Sequence, residues 1–302
     1  MPAEKFSNSI DAPWKRMLSH FFQPFIELCL PTIEAQIDWE KGYENLNKDF
    51  EKMSHSSKTG KRLLDMLIKV TMLDGHQKLI LIHLEIQAQK QNDFPQRMYT
   101  YNYKVYDKYQ LPVVSIALLL DEDPSWRPNS FEMEDPFLKV PYLVFKYHVV
   151  KLLDFSTQRE ALINNKNIFA KIVRIQLSAL ETQQNLFQRL HDKIELDTEL
   201  LKSELTEEEI SQLKIFLDWI LLLPEELMMT YTEQIKEIEK EFGVTFVSSA
   251  ERVGVIKGLR EGHQKGLQKG LQEGRQEGRQ EGHQEGMRNM LDRQSDVAFL
   301  AM

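Results

Sequence analysis

The chain has 302 residues, 42% of them hydrophobic and 28% charged, an ordinary balance for a folded protein of one large or two smaller domains. Its formal net charge of −8 argues against a protein that coats nucleic acid non-specifically, though a local basic groove beside an acidic metal site is compatible with it. The single cysteine, Cys29, excludes an intrachain disulfide and a Cys-rich zinc site, and no apolar run reaches the length of a membrane span.

The opening "MPAEKFSNSIDAPWKR" lacks the apolar core of a secretory leader, so the expectation is a cytoplasmic protein without a membrane partner. "FFQPFIELCLPTIEAQIDW" is apolar at helical spacings but interrupted by Pro24 and Pro31, which predicts short helices. Next come "LLDMLIKVTML", Asp74-Gly75 and "HQKLILIHLEIQAQ", two β-rich runs around a turn dipeptide, which read as a hairpin. "FPQRMYTYNYKVYDKYQ" sets Met98, Tyr101, Val105 and Tyr109 at helical spacings. "LPVVSIALLLD" has the continuous apolar character of a buried strand. A loop rich in Asp, Pro and Ser leads to "YLVFKYHVV", a further strand. Residues 1–155 therefore read as a mixed α/β domain built on one sheet.

Residues 156–253 read as helical. "NIFAKIVRIQLSALETQQNLFQRLHDKI" repeats apolar positions three and four apart, and "TEEEISQLKIFLDWILLLP" opens on Thr206 with Glu209 three later, a capping box. Pro224 closes that helix. Residues 254–302 form a tail in which glycine recurs every fourth residue from Gly254 to Gly286. The period is not that of collagen, and the charged spacers rule out a membrane helix face. Each glycine costs about 1 kcal/mol in a helix relative to alanine. Two readings stay open: a loosely ordered low-complexity tail, or a helix that pairs with a second copy of the chain, making a homo-oligomer through the repeat.

The chemistry concentrates in "LIHLEIQAQ". Ile82, Leu84, Ile86 and Ala88 fall on one face of this strand, and His83, Glu85, Gln87 and Gln89 on the other. An Asp on one hairpin strand and a Glu on its partner can hold a hard cation such as Mg²⁺ through carboxylate oxygens and waters. Asp65 can share a face with Glu85 only if the hairpin has an odd connection or a bulge. A strict two-residue Asp74-Gly75 turn sets Asp65 opposite Leu84, and a three-residue loop sets it opposite His83. The alternative is that Asp65 and Glu85 are ordinary polar residues on a solvated sheet face. His83 is expected to be solvated, and His263 and His283 in the repeat likewise. Glu34, Asp38 and Glu44 are weaker acidic candidates. Lys58, Lys61 and Arg62 before Asp65, and Arg97, Lys104 and Lys108 after Glu85, bracket the pair. They are either phosphate contacts or solubility charges.

The stretch "LLDMLIKVTMLDGHQKLILIHLEIQAQKQNDFPQRMYTYNYKVYDKYQLPVVSIALLLD" resembles the core of the Rpn group, recombination-promoting nucleases and YhgA-like transposases of the PD-(D/E)XK nuclease superfamily. That pattern has an Asp on one strand, matched by Asp65, and Glu-x-Gln on the next, matched by Glu85 and Gln87. A helix with an Arg and tyrosines follows, matched by Arg97 and Tyr101. "SWRP", "DWILLLPEEL" and "ERVGVIKGLREG" extend the similarity over most of the chain. The resemblance implies an α/β restriction-endonuclease-like core with a mixed sheet. It implies Mg²⁺- or Mn²⁺-dependent hydrolysis of DNA phosphodiesters, with Asp65 and Glu85 holding the metal and Gln87 positioning water. The wider superfamily has Lys where this chain has Gln87, and a glutamine supplies no cationic charge to the transition state. Lys69 shares the strand parity of Asp65 and is the candidate substitute. The alternative is a catalytically weak or inactive nuclease-fold protein that binds DNA or forms an oligomeric interaction module.

Overall fold

The computed structural model describes residues 4–47, 65–73 and 79–242. The Asp74-Gly75 turn, Lys58, Lys61, Arg62 and the glycine repeat with His263 and His283 lie outside the described residues. Three helices, α1 (Glu4–His20), α2 (Phe22–Cys29) and α3 (Pro31–Glu34), lead into a short strand, β1 (Tyr43–Asn45). Then come β2 (Met66–Thr71), β3 (Leu79–Gln87), helix α4 (Phe94–Tyr109) and β4 (Val113–Leu119). A hairpin of β5 (Ser130–Glu134) and β6 (Pro141–Lys146) precedes the last strand, β7 (His148–Lys151). The remaining described residues are mainly helical: α5 (Arg159–Ile163), α6 (Ile168–Glu181), α7 (Leu186–Lys202), α8 (Glu207–Ile220) and α9 (Glu225–Glu241).

The main sheet has the order β1-β2-β3-β4-β7, and β5-β6 form a separate two-stranded sheet. β1, β2 and β3 pair antiparallel, whereas β3, β4 and β7 run parallel. α4 is the crossover that parallel β3 and β4 require. The chain is thus a mixed α/β protein with a helical C-terminal region. Among the described residues no helix is long and apolar enough to cross a membrane.

Two expectations need correction. "YLVFKYHVV" is two strands in two sheets, because the chain leaves the hairpin at Tyr147, whose ring packs under Phe145 and Phe94. The apolar stretch looks continuous in sequence, yet Tyr142 and Val144 of β6 stay exposed while Val150 of β7 is buried in the main sheet. Pro24 does not break α2, since it lies in the first turn, where a missing N–H has no intrahelical acceptor to lose.

Both faces of the main sheet are covered. Met66, Ile68, Val70, Ile82, Leu84, Ile86, Ile116 and Leu118 face a core shared with α1, α2, α6, α7 and α8. On the opposite face, Leu67 and Leu81 pack with Tyr101 and Val105 of α4. Ala117 and Leu119 pack there with Phe94, Met98, Trp126 and Tyr147. β3 is therefore a central strand, and its polar set lies buried beneath α4 instead of facing water.

α1 is pinned by Trp14, which is fully buried. Its indole N–H donates to Gln176 Oε1 of α6 at 3.0 Å, and its ring meets Phe216 of α8 edge-on at 5.4 Å. This anchor fixes the position of the next residue, Lys15. In the helical region the predicted capping box of Thr206 and Glu209 is present. Sequence reasoning misses four charges buried between α7 and α8, Lys193, Asp197, Lys214 and Asp218, and their link to the partly buried Glu239 of α9. Lys193 reaches Asp218 at 2.9 Å, and Lys214 reaches Asp197 at 2.9 Å and Glu239 at 2.8 Å. On a helical pattern these residues look like surface charges; buried, they are tolerable only as pairs.

Candidate active site

The β2–β3 register decides whether the two carboxylates meet. Leu67 pairs with His83, Met66 with Leu84, and the ladder ends at Thr71 opposite Leu79. Extended by one residue, this register puts Asp65 opposite Glu85, on the same face. The parity is the one a metal pair demands, but the connection is longer than either turn considered from sequence. Asp65 itself stands one residue ahead of β2. Its backbone is held there by Asn47, whose amide donates to Asp65 O at 3.2 Å and accepts from Leu67 N–H at 2.6 Å. Asn47 thereby extends the β1–β2 ladder with its side chain. No local signal in the sequence marks it.

Asp65 and Glu85 are both buried. Asp65 Oδ2 accepts from Ile86 N–H at 2.7 Å, and its own N–H donates to Glu85 Oε1 at 3.1 Å. Each carboxylate is therefore tied to the other residue's strand. Asp65 Oδ1 also meets Lys15 Nζ at 2.8 Å. Burial, and then the charge of Glu85, push the Asp65 carboxyl up to about 6, against the opposing pull of Lys15. Burial is the larger cause, and the like charge of Glu85 adds to it.

His83 is fully buried, which overturns the expectation of a solvated residue. Its Nε2 lies 3.3 Å from Glu85 Oε1, its Nδ1 lies 3.0 Å from Ser115 Oγ, and its ring meets Tyr101 edge-on. Burial holds its pKa down at about 3, so it is neutral at physiological pH.

The Gln87 amide is engaged at both ends: its Oε1 accepts from Arg97 Nη2 and its Nε2 donates to Gln89 O. Arg97, in the first turn of α4, also donates to Gln91 Oε1 at 2.8 Å and rests over the Phe94 ring. Its Nε lies 3.8 Å from Glu85 Oε2. The structure thus brings together Asp65, Glu85, Gln87 and Arg97, and adds Lys15, Asn47, His83, Ser115 and Asn102.

The other candidates lie elsewhere. Lys69 pairs with Glu44 at 3.1 Å on the outer strands, four residues along β2 from Asp65. It does not take the place of the missing lysine. Asp38 pairs with Lys41, and Glu34 belongs to α3. Lys104 is partly exposed, two turns beyond Arg97 on α4, and Lys108 lies over the Tyr109 ring.

Comparison with family models, with curated proteins and with solved structures finds no match for the chain.

Among the described residues no group of three or more His, Cys, Asp or Glu side chains is arranged to hold a metal ion. Two carboxylates are what the site offers. That donor set suits Mg²⁺, which is held by one or two carboxylates and keeps several waters. The hard oxygen donors fit a divalent cation of this kind.

Proposed function

We propose that the chain is a Mg²⁺- or Mn²⁺-dependent DNA endonuclease with a PD-(D/E)XK-type core, of the recombination-promoting group it resembles. The observation that carries this reading is the meeting of Asp65 and Glu85 on one buried face, each accepting a backbone N–H from the other's strand.

A metal bound by Asp65 and Glu85 would polarise the phosphodiester and acidify water. The chain's own residues supply the remaining charge. Arg97 presents a guanidinium beside Glu85 and is held in place by Gln87 and Gln91. Lys15 brings an ammonium to Asp65 from α1; its side chain is 39% exposed, so it stands at the rim, where a phosphate would arrive. These two cations take the electrostatic role that Gln87 cannot fill. Gln87 acts as the acceptor that fixes Arg97. Lys104 on α4 is a further cation for the DNA backbone; Lys58, Lys61 and Arg62, the other basic candidates, lie outside the described residues.

The engagement of Gln87 with Arg97 favours one competing reading, a nuclease-fold protein that binds DNA without cutting it. Plasmid nicking separates the two. Supercoiled DNA is converted to the open circle by the parent in Mg²⁺ or Mn²⁺, and not in EDTA or by Glu85→Gln. Cleavage by Glu85→Gln at the parent rate would defeat the proposal, and DNA binding without any metal-dependent cleavage would establish the competing reading.

A further inference from the structure

We propose that His83 is a positioning residue for Glu85, locked as its Nε2–H tautomer by a chain of donors from Asn102 and Ser115. The inference rests on the reading of Asp65 and Glu85 as a metal pair.

The direction follows if each buried polar hydrogen is given an acceptor. Asn102 Nδ2 lies 3.1 Å from Val113 O and 3.0 Å from Ser115 Oγ. A backbone carbonyl only accepts, so the amide is oriented with its NH₂ toward both groups. Ser115 Oγ then accepts from Asn102 and has one proton to give. Its remaining partner is His83 Nδ1 at 3.0 Å. An imidazole that accepts at Nδ1 carries its proton on Nε2 when neutral. That N–H points at Glu85 Oε1, 3.3 Å away, and a carboxylate only accepts. The direction is therefore Asn102 to Ser115 to His83 to Glu85, on a path buried from Ser115 onward.

A satisfied core histidine would end its hydrogen bonds on structural groups. This one ends on the carboxylate that the proposed chemistry uses. Glu85 Oε1 also takes the Asp65 N–H at 3.1 Å. Two donors on one oxygen fix the plane of the carboxylate, and Tyr101, edge-on at 5.8 Å, fixes the plane of the imidazole. Ligating groups held in this way lose about 10–100-fold in metal affinity when the outer partner is removed.

The test has two arms, both on the full chain. Long-range ¹⁵N–¹H correlation spectra in EDTA report the tautomer directly, with the His83 resonance assigned by its loss in His83→Gln. The expected state is neutral with the proton on Nε2, and Ser115→Ala converts it to a mixture. A parent with the proton on Nδ1 overturns the inference whatever the protein's activity. The second arm is calorimetric titration with Mn²⁺. His83→Leu binds on the order of 10–100-fold more weakly than the parent. His83→Gln, whose amide N–H reaches toward Glu85, stays within a few-fold of it. If His83→Leu does not fold, Ser115→Ala, which keeps the imidazole but frees its tautomer, shows the weakening instead. Equal Mn²⁺ affinity in the parent and a folded His83→Leu overturns the positioning role. A parent that binds no Mn²⁺, with the tautomer as expected, removes the metal reading of the site and the inference with it.

Discussion

Replacing Asp65 by Asn should stabilise the metal-free protein. The folded chain holds Asp65 at about 6 against an ordinary value of 3.8, because it is buried and faces Glu85. Between those two pH values the folded state keeps a proton that the unfolded state has already released. Parent stability therefore falls as pH rises through that window. With the shift complete, the cost at pH 7 is about 3 kcal/mol, from 1.36 kcal/mol per pKa unit. Asn keeps the acceptor for Ile86 N–H and removes the charge. What it loses is the ion pair with Lys15, a side chain 39% exposed that can turn to water; its attraction is already included in the shifted pKa. Asp65→Asn should then be more stable than the parent at pH 7, and the gain should shrink toward zero below about pH 4. Urea unfolding in EDTA at several pH values measures it. A variant less stable than the parent at pH 7, or a gain that does not vary with pH, would refute the reasoning and show that Asp65 is a net structural asset.

Three further outcomes follow from the same contacts. Lys15→Ala should lower metal-dependent cleavage on the order of 10²-fold, the scale of one lost electrostatic contact in a transition state, with an unchanged circular-dichroism spectrum. Cleavage at the parent rate would remove Lys15 from the chemistry. Gln87→Lys should lower the melting temperature, because it sets an ammonium against the Arg97 guanidinium and removes its acceptor; a higher melting temperature would contradict that account. Asp197→Ala should cost about 1–3 kcal/mol, because the buried Tyr231 hydroxyl loses its carboxylate acceptor while Lys214 keeps Glu239, and an effect below 1 kcal/mol in urea unfolding would show that the network relaxes.

How much of this was legible depended on how local each signal was. The alternation in β3 and the helical spacing of α4 mark their elements, because period 2 and period 3.6 are written in neighbouring residues. The pairing of Asp65 with Glu85 could be posed as a question of parity and no further, since the register is set by how far the ladder runs before the turn. The burial of His83 was hidden because alternation alone does not say whether the polar face meets water or a covering helix. Here α4 supplies Tyr101 and Asn102 to receive it. Lys15 was out of reach altogether. It arrives at Asp65 because Trp14 is fastened to Gln176, far along the chain, and such long-range packing leaves no mark near either residue. Lys193 and Lys214 were missed for the same reason, as their partners lie on other helices.

The most direct test of the central claim is a crystal of the protein soaked in Mn²⁺ and measured for anomalous scattering. The account predicts one strong peak shared by a carboxylate oxygen of Asp65 and one of Glu85, both in direct coordination with the ion, with Lys15 Nζ moved off Asp65 Oδ1. A peak elsewhere, or none with Lys15 still paired to Asp65, would contradict it.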